Sequence, residues 1–328
     1  INSDIRSAMN RLDQPLANSR ARWPSLLLAA CVLSSPTAWA KLRVVTTTPD
    51  FAAIAAEIGG DRVEVTSLGK PTEDPHFIDA RPSLILKLNR ADVLVEGGAE
   101  LEIGWLPSLM DSARNPKIQR GAPGNVYASE GIEMLEVPSV LDRSMGGVHP
   151  VGNPAFMTDP VNARIVAERL ARVFGQLDSK SSALFNANLK SFSDKLAGKL
   201  IEWRNRLAPF KGSRIVAYHN SWPYFARRFG LQVDLFLEPK PGLPPTPTHL
   251  AQVMAKMKES GARVILVQPY LNRHTAETVA SHTGAVVVDA AGFPGGVKGT
   301  EGDYCKFMDH LVNSLADALG GKTPSTQQ

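Results

Sequence analysis

The strongest constraint on the fold is a regular alternation of short β-branched runs with helical segments. Residues 42–48 (LRVVTTT), 63–69 (VEVTSLG) and 92–98 (DVLVEGG) are typical of buried strands. Residues 51–60 and 82–91 lie between them and carry apolar side chains at helical spacing. Strands that alternate with helices at this spacing predict parallel βαβ units.

The same alternation returns in the second half of the chain. Four more strand-like runs occupy residues 214–221, 231–238, 262–270 and 285–292, with helical segments between them. The 328 residues are 43% hydrophobic, which is enough to build two cores. We therefore predict an α/β fold of two βαβ lobes with parallel sheets.

A helical segment separates the two halves. It begins at Asp159 and Pro160, a cap followed by a first-turn proline. Apolar residues then recur at three- and four-residue steps for about eight turns at 3.6 residues per turn. We predict one long helix at 179–208 that joins a lobe at 41–178 to a lobe at 209–322, followed by a disordered tail at 323–328. A coiled-coil arm is the alternative, but the heptads are irregular.

Residues 1–40 have the pattern of a secretory signal peptide. Arg20 and Arg22 precede a short apolar run that ends in Ala38-Trp39-Ala40, a small-x-small cleavage site. Attachment of lipid at Cys31 is the alternative. We expect export to the periplasm, where Cys305 alone allows no intrachain disulfide.

The net charge of the exported chain is small. Residues 1–40 carry four Lys/Arg and two Asp/Glu, so the net charge falls from +4 to +2 without them. That charge gives no sign of nucleic-acid binding.

Four side chains are candidate metal ligands. His76, His149 and His219 each follow a strand-like run or precede a helix, and Asp289 ends the run AVVVD. Loops beyond the carboxyl ends of parallel strands form the ligand crevice of open α/β sheets, so two facing lobes bring all four to one cleft. Imidazoles with one carboxylate suit Zn²⁺, with Mn²⁺ as the alternative. Such a site should weaken as the pH falls through roughly 6.5, because metal binds neutral imidazole.

The other candidate residues have supporting roles. Glu238 ends a strand-like run, where it can orient His219. His274 is the spare ligand, because it lies close to a strand end. His249, His282 and His310 fall within helical segments and look structural.

Several motifs resemble the TroA-like substrate-binding proteins of zinc and manganese ABC importers. DPHFIDARPS, with His76, is similar to the first histidine motif of that family, and AYHNSWPYFARRFGLQ, with His219, is similar to the third. The resemblance covers residues 41–322, including the long helix, and places Asp289 at the carboxylate position of the family. It implies metal ligands at these three residues.

The chain departs from the family at the second histidine. That residue stands four positions before an Asp-Pro helix start, and the corresponding residue here is Ala155, in NPAF. Alanine cannot coordinate a metal. Either His149, six residues upstream, replaces the missing ligand, or the site keeps three protein ligands and adds water or a ligand from a partner.

The resemblance implies a monomeric solute-binding protein, and no enzyme, that captures Zn²⁺ or Mn²⁺ between its lobes. It would deliver the metal to the permease of an ABC importer, and a metallochaperone is a further partner that the resemblance allows. One alternative is a degraded site that binds metal weakly or serves as an adhesin. Another is a zinc hydrolase with three ligands and a water. The hydrolase is disfavoured because no glutamate stands beside a ligand and no Ser or Cys nucleophile constellation is present.

Overall fold

The structure is a computed structural model that describes residues 40–140, 146–147 and 149–322. The predicted signal peptide, apart from Ala40, and the predicted tail lie outside these residues. Within them, no helix combines the length and the apolar character that crossing a membrane requires.

The N-terminal lobe is built on a four-stranded parallel sheet. Its strand order is β2-β1-β3-β4, and Val45 of β1 pairs with Thr66 of β2 and Leu94 of β3. The elements are β1 (Leu42–Thr46), α1 (Pro49–Gly59), β2 (Val63–Ser67), α2 (Pro82–Arg90), β3 (Val93–Glu96), α3 (Leu106–Ala113) and β4 (Asn125–Tyr127).

The C-terminal lobe repeats this architecture. Its four parallel strands have the order β6-β5-β7-β8, and Ile265 of β7 pairs with Val216 of β5 and Val287 of β8. The elements are β5 (Arg214–Ala217), α6 (Pro223–Phe229), β6 (Gln232–Phe236), α7 (Pro247–Ser260), β7 (Val264–Val267), α8 (Arg273–Thr283), β8 (Val286–Asp289) and α9 (Tyr304–Leu319). The two-lobe α/β fold predicted from the sequence is confirmed.

Two helices connect the lobes. α4 (Pro160–Leu177) begins at the Asp159 cap, whose carboxylate accepts a hydrogen bond from the Val161 amide at 2.9 Å. α5 (Ser182–Leu207) has 26 residues and spans about 39 Å at 1.5 Å per residue. The chain turns between them at Ser179–Ser181, where Arg62 binds Asp178 at 2.8 Å.

α5 is fixed to both lobes. Asn188 donates a hydrogen bond to the Ile58 carbonyl of α1 at 2.9 Å, and the Trp203 indole donates to Asp309 of α9 at 2.8 Å. One continuous hydrophobic core runs from α1 through α4 and α5 to α9. Because burial of this shared surface is lost if the lobes separate, wide hinge motion is disfavoured.

The observed strands are shorter than the sequence runs that predict them. β3 ends at Glu96 and β5 at Ala217, whereas the corresponding runs extend to residues 98 and 221. The remaining residues leave the sheets as loops at the carboxyl edges. Loops beyond the strand ends carry the three candidate histidines, His76, His149 and His219.

Candidate metal centre

Three histidines from three separate loops line one cavity between the lobes. His76 lies between β2 and α2, His149 between β4 and α4, and His219 directly after β5. The strands of each sheet are parallel, so their carboxyl ends share an edge, and the two edges face this cavity.

The two N-terminal-lobe histidines are in direct contact. Nε2 of His76 lies 3.1 Å from Nε2 of His149, and their ring centroids are 5.2 Å apart. Two nitrogens bound to one tetrahedral zinc, each at ~2.0–2.1 Å, are about 3.3 Å apart. The His219 ring stands 6.0 Å from the His76 ring, edge to face. Two imidazoles are therefore at the spacing of metal ligands, with the third beside them.

Carboxylates orient two of the rings. Nδ1 of His76 lies 2.8 Å from Asp74 Oδ1, and Nδ1 of His219 lies 2.7 Å from Glu238 Oε2. Burial opposes ionisation of Asp74, but its hydrogen bonds from His76 hold the pKa of its carboxyl below the usual value. An ionised acceptor at Nδ1 places the proton there and leaves the Nε2 lone pair available for a metal.

His149 is held by backbone rather than by a carboxylate. Its ring forms a hydrogen bond with the backbone of Ala99. Ala99 has a φ of 53°, in the left-handed region that non-glycine residues seldom occupy. Burial and the neighbouring His76 lower the pKa of His149 to about 4. His149 is therefore neutral, as a metal ligand must be, down to acidic pH.

The cavity at the three histidines has a volume of about 470 Å³. A second cavity of about 70 Å³ is lined by His76 and His219 together with Asp74 and Glu238. Within residues 40–140, 146–147 and 149–322, no three His, Cys, Asp or Glu side chains are already arranged to hold a metal ion. Binding through all three imidazoles therefore requires His219 to approach the His76 and His149 pair.

Asp289 is not brought to the histidines, contrary to the expectation from the sequence. It ends β8, but its exposed side chain forms an ion pair with Arg273 of α8, and it is absent from the cavity wall. Its backbone binds the ring of His310. A position at a strand end places a residue at the edge of the sheet but does not fix the direction of its side chain. Here the side chain of Asp289 pairs with Arg273 on the neighbouring helix.

The remaining histidines lie outside the site. His249 binds the Phe236 carbonyl at 3.0 Å, and His282 binds the Thr278 carbonyl at 2.8 Å. His274 is exposed in α8 and does not line the cavity.

Sequence reasoning missed two parts of the site. Asp74 orients His76, and its position two residues before the histidine, in the turn EDPH, is a signal that could have revealed it. Glu136 accepts hydrogen bonds from Asn153 at 2.9 Å and from Asn220 of the other lobe at 2.8 Å. Nothing local in the sequence indicates that bridge.

The two lobes, the long helix and the cleft between them define a two-lobe solute-binding protein. The family model of the zinc-uptake complex component A, periplasmic, matches residues 44–318, so the chain belongs to that family. The membership predicted from the histidine motifs is confirmed.

Individual relatives are distant but match over nearly their whole length. The high-affinity zinc uptake system protein ZnuA of Paracoccus denitrificans is 24% identical, with 90% of this chain and 98% of the relative covered. The manganese ABC transporter substrate-binding lipoprotein PsaA of Streptococcus pneumoniae is 23% identical, with 90% and 95% covered. A crystal structure of ZnuA has the same fold, with a TM-score of 0.71 at 22% identity over 85% of this chain and 99% of that one.

Proposed function

We propose that this protein captures a divalent transition metal outside the cytoplasm and delivers it to the permease of an ABC importer. The observation that carries the proposal is the meeting of His76, His149 and His219 in one cavity between the lobes. The metal is cargo, and the proposed role involves no catalysis. Membership of the zinc-uptake family supports the role in transport.

The donor set favours zinc over manganese. Three imidazole nitrogens are borderline-soft ligands that suit Zn²⁺, whereas Mn²⁺ prefers carboxylate and water oxygens. Asp74 and Glu238 bind the distal ring nitrogens and add negative charge, which favours a dication. We propose three protein ligands and leave Asp289 out of the set, because Arg273 holds it.

Zinc titration of histidine variants tests the proposal. We expect His76→Ala and His219→Ala each to lower zinc affinity by more than the ~10–100-fold that loss of an outer partner costs. His282→Ala is the matched control, because His282 is exposed on α8 and lies outside the cavity. Competition titration with a zinc indicator and metal analysis of the dialysed protein measure the effect. Equal zinc content in wild type and both site variants would overturn the assignment.

A further inference from the structure

The cavity at the three histidines is much larger than a metal ion needs. Its volume of about 470 Å³ lies within the ~300–1,000 Å³ of pockets that take small organic molecules. A single water takes up only about 30 Å³ of liquid. Three imidazoles also leave at least one coordination position of zinc open.

Most of the wall around this space is apolar. Ala155 forms part of it, and its side chain ends at Cβ, which leaves room beside the histidines. The larger apolar side chains of the wall are Phe51, Leu101, Val137, Met157, Trp222 and Phe293. Several ordered waters around a bound ion would make few hydrogen bonds against such a wall, whereas a carbon-containing ligand buries apolar surface there.

Three side chains of the C-terminal-lobe wall each carry a buried polar atom without a hydrogen-bond partner. The atoms are Asn220 Oδ1, Trp222 Nε1 and Gln268 Oε1. Two are acceptors and one is a donor. A zinc-bound amine keeps two N–H groups that can donate to amide oxygens, and the free oxygen of a zinc-bound carboxylate can accept from an indole N–H. A chelating amino acid therefore offers the hydrogen-bonding groups that this set lacks.

Two hydrogen bonds between the lobes hold backbone that lines the cavity. Tyr224 donates a hydrogen bond to the Asn153 carbonyl at 2.8 Å, and Tyr304 donates to the Met157 carbonyl at 2.7 Å. Asn153 and Met157 both line the cavity. Because these contacts cross between the lobes, the space beside the histidines persists unless they break.

We propose that the cleft takes its metal as a complex with a small chelator of the amino-acid class. The chelator fills the space beside Ala155 and supplies the coordination positions that His76, His149 and His219 leave open. This inference rests on the proposed function and specifies the form in which the cargo arrives.

Equilibrium dialysis with labelled L-histidine, zinc chloride or both tests the inference. L-histidine is the probe because its amine, carboxylate and imidazole chelate zinc. We expect about one equivalent of L-histidine to be retained with zinc, and at least tenfold weaker retention without it. His76→Ala should abolish the zinc-dependent retention.

A cavity-filling variant separates the chelator from the metal. Ala155→Phe should lower L-histidine retention at least tenfold more than it lowers binding of zinc alone, and equal losses of the two would contradict the chelate. Ala255→Phe is the matched control, because Ala255 is exposed on α7 away from the cavity. Ala155→Val adds less volume and serves if the phenylalanine variant does not fold.

The arms of the dialysis distinguish the two proposals. Zinc bound through His76 with no L-histidine retained would overturn the chelate and leave metal capture standing. Absence of zinc binding in every arm would overturn the proposed function and the chelate with it. Retention of L-histidine without zinc, unchanged by His76→Ala, would overturn the chelate, and an absence of zinc binding beside it would assign the cleft to an amino acid alone and overturn metal capture as well.

Discussion

His149 differs from the other two histidines in how it is held, and its own pKa is low. Backbone of Ala99 supports its ring, whereas carboxylates support His76 and His219. Burial first, and the nearby His76 second, lower its pKa to about 4. A proton therefore does not compete with metal at His149 until the pH is well below ~6.5, the reference pKa of a histidine side chain.

This difference predicts how His149→Ala changes zinc binding. We expect the variant to bind zinc at least ten times more weakly than wild type at pH 7, since a nitrogen ligand is lost. The slope of log Kd against pH between 5.5 and 7 should stay the same, because His149 releases no proton there. Titrations at several pH values measure both quantities. Equal affinity would show that His149 is a bystander, and a flatter slope would contradict its low pKa.

At the scale of elements, the start of α4 is a junction between the lobes. Asp159 is fully buried, caps α4 and accepts two hydrogen bonds at 2.7 Å from Arg228 of α6. The pair joins the connecting segment to the C-terminal lobe. Removal of the cation leaves a buried negative charge without a positive partner. This lowers the free energy of unfolding more than the loss of an exposed ion pair does.

Arg228→Met should therefore destabilise the protein by about 3 kcal/mol. Arg273→Met is the matched control: the Arg273–Asp289 pair is exposed, so its loss should cost less than about 1 kcal/mol. Urea denaturation followed by tryptophan fluorescence measures both free energies of unfolding. Similar small effects for the two variants would show that Arg228 adds little to the junction.

At the scale of the whole molecule, two buried carboxyls make stability depend on pH. Burial raises the pKa of Glu102 to about 7, although its carboxylate accepts hydrogen bonds from Thr47 at 2.6 Å and the Gly97 amide at 2.7 Å. Burial also raises the pKa of Asp50 to about 6. The folded protein binds these protons more tightly than the unfolded chain does. The contribution of these protons to the free energy of unfolding is complete below about pH 4 and is lost as the pH rises through 6 and 7.

Glu102→Gln should remove the part of this dependence that Glu102 causes and leave the part caused by Asp50. The Glu102 pKa rises from 4.5 to about 7, so wild type should lose about 3 kcal/mol relative to the variant between pH 4.5 and 8. Glu259→Gln, at an exposed position of α7, is the control and should parallel wild type. Denaturation curves at intervals of half a pH unit measure the difference. Parallel curves for wild type and Glu102→Gln would contradict the raised pKa.

The α/β alternation, the long helix and the histidines of the site are predictable from the amino-acid sequence alone. These features depend on residues close together in the chain, whose periodicity and caps are local. Glu238 as the partner of His219 was also predictable, since each lies two residues beyond the end of one of two neighbouring parallel strands. Position at a strand end did not place Asp289 beside the histidines. Its side chain forms an ion pair with Arg273 of the adjacent helix, which the sequence does not show.

Which atoms meet depends on the tertiary structure. His76 and His149 are 73 residues apart, and their contact depends on how their two loops and the backbone at Ala99 pack within the N-terminal lobe. The cavity beside Ala155 and the bridge from Glu136 to Asn220 involve residues from both lobes. Such contacts depend on side-chain packing between distant segments, which local periodicity does not encode.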